Sequence, residues 1–200
     1  MTLAPSYFKG LYDKSSDPWS LATRWYERRK YAMTLASLSR PRYRRGFEPG
    51  CSVGVLTEGL AERCDSLLST DVAASAVSAT RSRVSGAGGV EVAELTVPAE
   101  WPEGSFDLVV ISELGYYLSA DDLELLVERT VGCLDTDGEI VLVHWRHPVA
   151  DYPLLGEEVH AAFHVHPDLE VLACHDEADF LLEVFVPHGT QSVATREGLT

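Results

Sequence analysis

The stretch Phe47-Glu48-Pro49-Gly50-Cys51-Ser52-Val53-Gly54-Val55-Leu56-Thr57 constrains this chain more than any other. A short apolar lead meets an acidic residue, then a loop with two glycines, then a run with helical character. Seventeen residues past Gly54, at the end of Ser66-Leu67-Leu68-Ser69-Thr70-Asp71, stands a second acid. Strand, glycine loop, helix, strand and acid is the order of a nucleoside-binding α/β unit.

The rest of the chain extends that pattern. A basic breaker, Arg40-Pro41-Arg42-Tyr43-Arg44-Arg45, leads into a strand near residues 45–48. Further strands are expected at 67–70, 90–95, 106–111 and 139–144, with helices at 55–61, 73–84 and 120–134 between them. Phe106-Asp107-Leu108-Val109-Val110-Ile111 is nearly continuous apolar sequence, as at the centre of a parallel sheet. Asp135-Thr136-Asp137-Gly138 reads as a tight turn and 153–165 as a helix. Residues 170–174 and 179–186 read as an antiparallel hairpin. These readings predict an α/β fold: a doubly wound, mostly parallel seven-stranded sheet closed by a C-terminal antiparallel hairpin. We expect one domain over 1–200, with a helical cap at 1–40 and the α/β core at 41–190. Within the cap, the first twenty residues read as turn-rich, and Asp17-Pro18 as the start of a helix over 19–39.

Charge excludes some partners. The net charge is -15, but residues 1–45 hold ten Lys/Arg against three Asp/Glu, and residues 46–200 hold six against twenty-eight. An acidic body repels a phosphate backbone, so nucleic acid is not an expected partner. The basic segment is interleaved with Trp19, Trp25, Tyr26 and Tyr31, which fits a helix packed on an acidic domain. No apolar run reaches membrane-spanning length, and the N-terminus lacks the regions of a signal peptide. Four scattered cysteines fit free thiols in a reducing, cytoplasmic setting. The sequence leaves oligomeric state open.

The two acids select a cofactor. Phosphates beside the Gly50–Gly54 loop would be repelled by Glu48, and the fingerprints for dinucleotides and triphosphates carry further glycines or a lysine. S-adenosylmethionine has no phosphate and carries a cationic ammonium and sulfonium, which a carboxylate attracts. Asp71 is placed to accept bonds from both ribose hydroxyls, or to cap the helix that follows; both roles can hold at once. At the next strand end, Thr96 and Val97 would meet the adenine. Ligands of such sheets sit at the carboxyl ends of the strands.

Four segments carry a family resemblance: the loop from Phe47 to Glu58, Pro98-Ala99-Glu100-Trp101-Pro102, Ser112-Glu113-Leu114-Gly115-Tyr116-Tyr117-Leu118 and His144-Trp145-Arg146-His147-Pro148-Val149-Ala150-Asp151-Tyr152. The chain resembles class I methyltransferases, and more narrowly the nodulation-protein-S-like group. Two positions depart from the common class I pattern. Ser52 replaces the middle glycine of the loop, and Thr96 stands where an Asp beside adenine is usual.

The resemblance implies methyl transfer from S-adenosylmethionine to a small molecule, an amine by analogy with the namesake's amino sugar. The expected cofactor-binding set is Trp19, Glu48, Gly50, Cys51, Ser52, Gly54, Asp71, Val72, Thr96, Val97 and Ser112. The expected catalytic set is Glu113 as orienter or base, Tyr116 as an aromatic wall, and His144 as general base at a strand end. All seven histidines fall between 144 and 188. His160 and His164 have a metal-like i, i+4 spacing but no Cys or carboxylate cluster beside them, so no metal is expected. O-methylation, a nucleotide-dependent oxidoreductase and a non-catalytic cofactor-binding module stay open as alternatives.

Overall fold

The computed structural model describes residues 1–200. Seven strands form one sheet: β1 (Tyr43–Pro49), β2 (Cys64–Asp71), β3 (Val90–Glu94), β4 (Phe106–Ser112), β5 (Leu134–Trp145), β6 (Leu169–Asp176) and β7 (Phe180–Pro187). Their order is β3-β2-β1-β4-β5-β7-β6. The pairs from β3 through β5 are parallel. β7 enters antiparallel against β5 and β6 pairs antiparallel with β7, which is the expected closing hairpin. Helices α1 (Pro5–Tyr12), α2 (Trp25–Ser37), α3 (Val55–Ala61), α4 (Ala74–Arg83), α5 (Ala120–Gly132), α6 (Gly156–His164) and α7 (Val193–Arg196) complete the fold. None is long and apolar enough to cross a membrane.

Strand periodicity explains the two cores. Side chains of β4 alternate sides, so Val109 and Ile111 enter one cluster while Leu108 and Val110 enter the other. β5 divides in the same way, with Ile140 and Leu142 on the first side and Val141 and Val143 on the second. Phe163 of α6 and Leu126 of α5 complete the first cluster, and Tyr31 of α2 and Leu60 of α3 the second. Both faces of the central strands are therefore covered, which is why their sequence lacks polar alternation.

Two expectations need correction. The helix read over 19–39 begins at Trp25, and an unexpected helix fills Pro5–Tyr12. Asp17 does cap a turn, accepting from Leu21 N at 2.9 Å and Ala22 N at 3.0 Å, but Ser20 at φ 59 leaves the helical path immediately. Asp135–Gly138 is not a turn ahead of a strand but a bulge inside β5: Leu134 pairs with Phe106 and Glu139 with Leu108. The bulge carboxylates are held by arginines, Asp135 by Arg44 and Asp137 by Arg40 and Arg44.

Candidate active site at the carboxyl edge of the sheet

A cavity of about 730 Å³ opens where β1, β2 and β4 end. The N-terminal segment roofs it: Leu3, Phe8, Tyr12, Trp19, Tyr26 and Tyr31 all line it. Leu3 N donates to Tyr117 O at 2.9 Å and ties the roof to the wall.

The half over β1 and β2 holds the two expected acids. Chain reversal after β1 needs left-handed backbone at Gly50 (φ 80), Ser52 (φ 50) and Gly54 (φ 76). A Cβ at Gly54 would sit 2.8–3.0 Å from Thr80, so this glycine lets α3 approach α4. Glu48 is 3% exposed, and the Thr57 and Ser69 hydroxyls both donate to its Oε2 at 2.7 Å. Burial pushes its carboxyl up to about 7, against the pull of those two hydroxyls. Asp71 accepts from Ser52 N and Ala73 N, each at 2.9 Å. Burial also raises Asp71, offset by those backbone donors. Tyr12 of α1 reaches down to the loop, its hydroxyl 2.6 Å from Ser52 Oγ, and packs edge-on against Trp19 at 5.8 Å.

Of the residues expected around a cofactor, Trp19, Glu48, Gly50, Cys51, Ser52, Asp71, Val72, Thr96, Val97 and Ser112 line this cavity. Gly54 does not; it serves the packing of two helices behind the loop. Thr96 N donates to Glu100 Oε2 at 2.7 Å, so Glu100 shapes the turn beyond β3.

The other half is built around a lysine. Lys30 Nζ, 2% exposed, lies 2.9 Å from Glu27 Oε2 and 2.5 Å from Glu113 Oε1. Burial works against its charge, but the two carboxylates outweigh that and raise its pKa. Glu113 sits at φ 55, a backbone conformation that costs about 1–3 kcal/mol for a non-glycine residue. The Tyr116 hydroxyl and Trp145 N both donate to Glu113 Oε2, Trp145 at 3.0 Å. Tyr116 is buried and stacks on Tyr152 at 4.9 Å. Glu113 thus lines the cavity with both oxygens already engaged, which suits orienting better than proton abstraction.

His144 does not fit the general-base expectation. It is fully buried and absent from the cavity wall. Its Nε2 accepts from Gly115 N at 3.2 Å, which leaves Nδ1 as the protonated nitrogen, 3.1 Å from His160 Nε2. His160 Nδ1 in turn lies 2.7 Å from Glu183 Oε2, and His164 Nε2 lies 3.0 Å from Glu183 Oε1. Burial, with His160 and Lys30 nearby, drives His144 well below the ordinary histidine range. The row anchors the 3-10 turn Gly115–Tyr117, which carries Tyr116. The strand-end position suggested a base; the ring instead points into the packing between β5 and α6.

Residues missed from the sequence are Tyr12, Glu27, Lys30 and Tyr152. The buried positions of α2 are Glu27, Lys30, Tyr31 and Thr34, spaced i, i+3, i+4, i+7. That stripe is periodic but polar, so a search for apolar periodicity passes over it. The neighbouring Arg24, Arg28 and Arg29 read from sequence as a solvated helix face, although Arg29 binds Glu177 bidentately at 2.8 and 2.6 Å.

Comparison with known proteins gives one consistent result. The family model described as nodulation protein S (NodS) matches residues 9–153. Nodulation protein S of Rhizobium tropici is 32% identical over 129 residues, covering 64% of this chain and 54% of that protein. The Sinorhizobium fredii protein of the same name is 30% identical, covering 64% and 60%. The chain therefore spans under two thirds of the length of these curated relatives. A crystal structure from Pseudomonas syringae, described as a methyltransferase, is 44% identical, covering 81% of this chain and 99% of that one with a TM-score of 0.72. The N-methyltransferase NodS of Bradyrhizobium japonicum, solved with S-adenosyl-L-homocysteine, is similar in fold: TM-score 0.82, 24% identity, 90% and 98% coverage.

Proposed function

We propose, from the premise that this chain belongs to the nodulation protein S family, that it transfers a methyl group from S-adenosylmethionine to a small-molecule amine. The observation that carries this reading is the pair of acids in one cavity: Glu48 at the end of β1 and Asp71 at the end of β2, with the one guanidinium at the loop between them, Arg83 on Val53 O at 2.7 Å, lying outside the cavity wall. The only Lys or Arg side chains on the wall are Arg24 and Lys30, and Lys30 is already held by two carboxylates. A phosphate-bearing cofactor finds no cavity-facing cation at the loop between the two acids, whereas a cationic nucleoside finds two carboxylates. The S-adenosyl-L-homocysteine bound by the Bradyrhizobium japonicum relative supports the same choice.

The residues present fit the group. Asp71 keeps lone pairs beyond its two backbone donors, enough to accept two ribose hydroxyls. Ser112 Oγ, buried on the cavity wall, has no partner of its own. Glu48 offers negative charge to an ammonium, and Thr96 and Val97 form the adenine wall. When bound, the sulfonium supplies an activated methyl carbon. This chain's task is to align the acceptor, strip it of water and leave its nitrogen neutral. Tyr26, Tyr116 and Trp145 form the wall that excludes water, and Glu113 orients it by holding Lys30, Tyr116 and the backbone of Trp145. Four unpaired cysteines support a reducing, cytoplasmic setting for this reaction.

Thermal shift tests the reading. S-adenosylmethionine and S-adenosylhomocysteine should raise the melting temperature, and NAD(H) should not. Stabilisation by NAD(H) alone would end the proposal.

Binding should also report the state of Glu48. A cation favours its ionised form, so S-adenosylhomocysteine affinity should rise about tenfold between pH 6 and pH 8, across a carboxyl near 7 in the free protein. Glu48→Gln should flatten that profile by calorimetry. In the ligand-free fold the sign reverses. A raised carboxyl pKa contributes stability below its ordinary 4.5 that is lost as pH climbs through about 7.

A further inference from the structure

We propose that Glu27 receives the methyl acceptor as an organic ammonium ion, holds it against Tyr26, and takes its proton. The inference rests on the methyl-transfer reading and names the charge class of the substrate. Six buried side-chain atoms of the protein lack a hydrogen-bond partner, and three of them line this one cavity: Tyr26 Oη, Glu27 Oε2 and Ser112 Oγ. Each such orphan costs about 1–3 kcal/mol unless a ligand satisfies it. Ser112 Oγ is left to the cofactor; Tyr26 Oη and Glu27 Oε2, on adjacent residues, can both accept, and a primary ammonium brings N–H donors and no acceptor.

Charge points the same way. Lys30 is shared between two carboxylates, and the only other cation on the cavity wall is Arg24. Glu113 is held by Lys30, Tyr116 and Trp145 N together. Glu27 Oε2 lies 2.9 Å from Lys30 Nζ but outside hydrogen-bond geometry, and Glu27 is 7% exposed. Of the two carboxylates, Glu27 is therefore the one with bonding capacity left toward the cavity. The Tyr26 and Trp145 rings, 5.5 Å apart and edge to face, line the cavity here; Lys30 Nζ already lies 5.0 Å from the Tyr26 centroid, which leaves the Trp145 ring to a desolvated cation.

The step balances without a co-reactant. R–NH3⁺ and the Glu27 carboxylate become R–NH2 and the Glu27 carboxylic acid; an N–H bond breaks, its electron pair stays on nitrogen, and an O–H bond forms at Glu27. Total charge is unchanged, and nitrogen gains the lone pair that attack on a methyl carbon needs. Burial raises the carboxyl of Glu27 against the opposing effect of Lys30, which narrows its gap to an amine.

The experiment compares ammonium ions with their neutral isosteres on protein saturated with S-adenosylhomocysteine: glucosamine against glucose, and benzylammonium against benzyl alcohol. At tenfold its Kd, an ammonium should add about 3 °C to the melting temperature while its isostere adds nothing. Glu27→Gln should abolish that difference and keep the shift due to S-adenosylhomocysteine itself. Should that variant fail to fold, Tyr26→Phe, which removes only an unpartnered hydroxyl, should reduce the difference. No ammonium preference in the wild type, or an undiminished one in the folded variant, overturns the inference. No response to S-adenosylhomocysteine in the wild type overturns the methyl-transfer reading instead.

Discussion

Lys30→Met should destabilise the protein by about 3–5 kcal/mol at pH 8, the range for stripping one partner from a buried ion pair. The lysine ammonium is 2% exposed between Glu27 and Glu113. Methionine fills similar volume, so the loss comes from two carboxylates left in a low-dielectric wall rather than from a void. Glu27 can escape by protonating, and burial already raises its pKa. The penalty should therefore shrink as pH falls towards 5. Adding Glu27→Gln to Lys30→Met should recover part of the loss, since one of the stranded charges is then gone. Urea titrations of the wild type, single and double variants at pH 5 and 8 measure all of this. A loss below about 1 kcal/mol at pH 8 would mean that the ammonium is solvated and the triad unimportant to the fold.

The second large effect belongs to the cofactor. Asp71→Ala should weaken S-adenosylhomocysteine binding roughly 100-fold, the equivalent of about 3 kcal/mol and the scale of one or two charge-assisted hydrogen bonds. The fold should suffer less. Ser52 N and Ala73 N lose an acceptor, comparable to removing a helix cap at about 1 kcal/mol. Asp71→Asn retains an acceptor and should fall between. Calorimetry separates these numbers; unchanged affinity in Asp71→Ala would remove the ribose role and leave only the structural one.

The parts legible in the sequence are those where one physical signal dominates. Val55–Ala61 is helical as expected because a left-handed Gly54 starts it and its buried residues, Leu56, Thr57 and Leu60, recur at helical spacing. β4 is legible because burial on both faces removes every polar side chain except Asp107 and Ser112. Asp107 survives there by accepting from Arg44 N and Arg45 N at 2.9 and 2.8 Å. Legibility failed where long-range contacts decide. Asp17-Pro18 has the chemistry of a helix start, yet Ser20 turns the chain away. His144 has a strand-end position, but its ring is claimed by Gly115 and His160, residues distant in sequence. Lys30 is indistinguishable from Arg28 and Arg29 until the partner on the far side of the cavity, Glu113, is known.

The roof formed by residues 2–31 decides where the molecule can be handled. Leu3 is tied to Tyr117, and Thr2 bonds Ser119 and Asp122 beside the cavity. A change at Thr2 or Leu3 is therefore passed to Ser119 and Tyr117 on the cavity side. The C-terminal segment docks elsewhere: Arg196 reaches Ser39 O at 2.9 Å, beside the opposite edge of the sheet, where Ser39 meets Glu139. A label on the helix Val193–Arg196 would therefore sit away from the cavity.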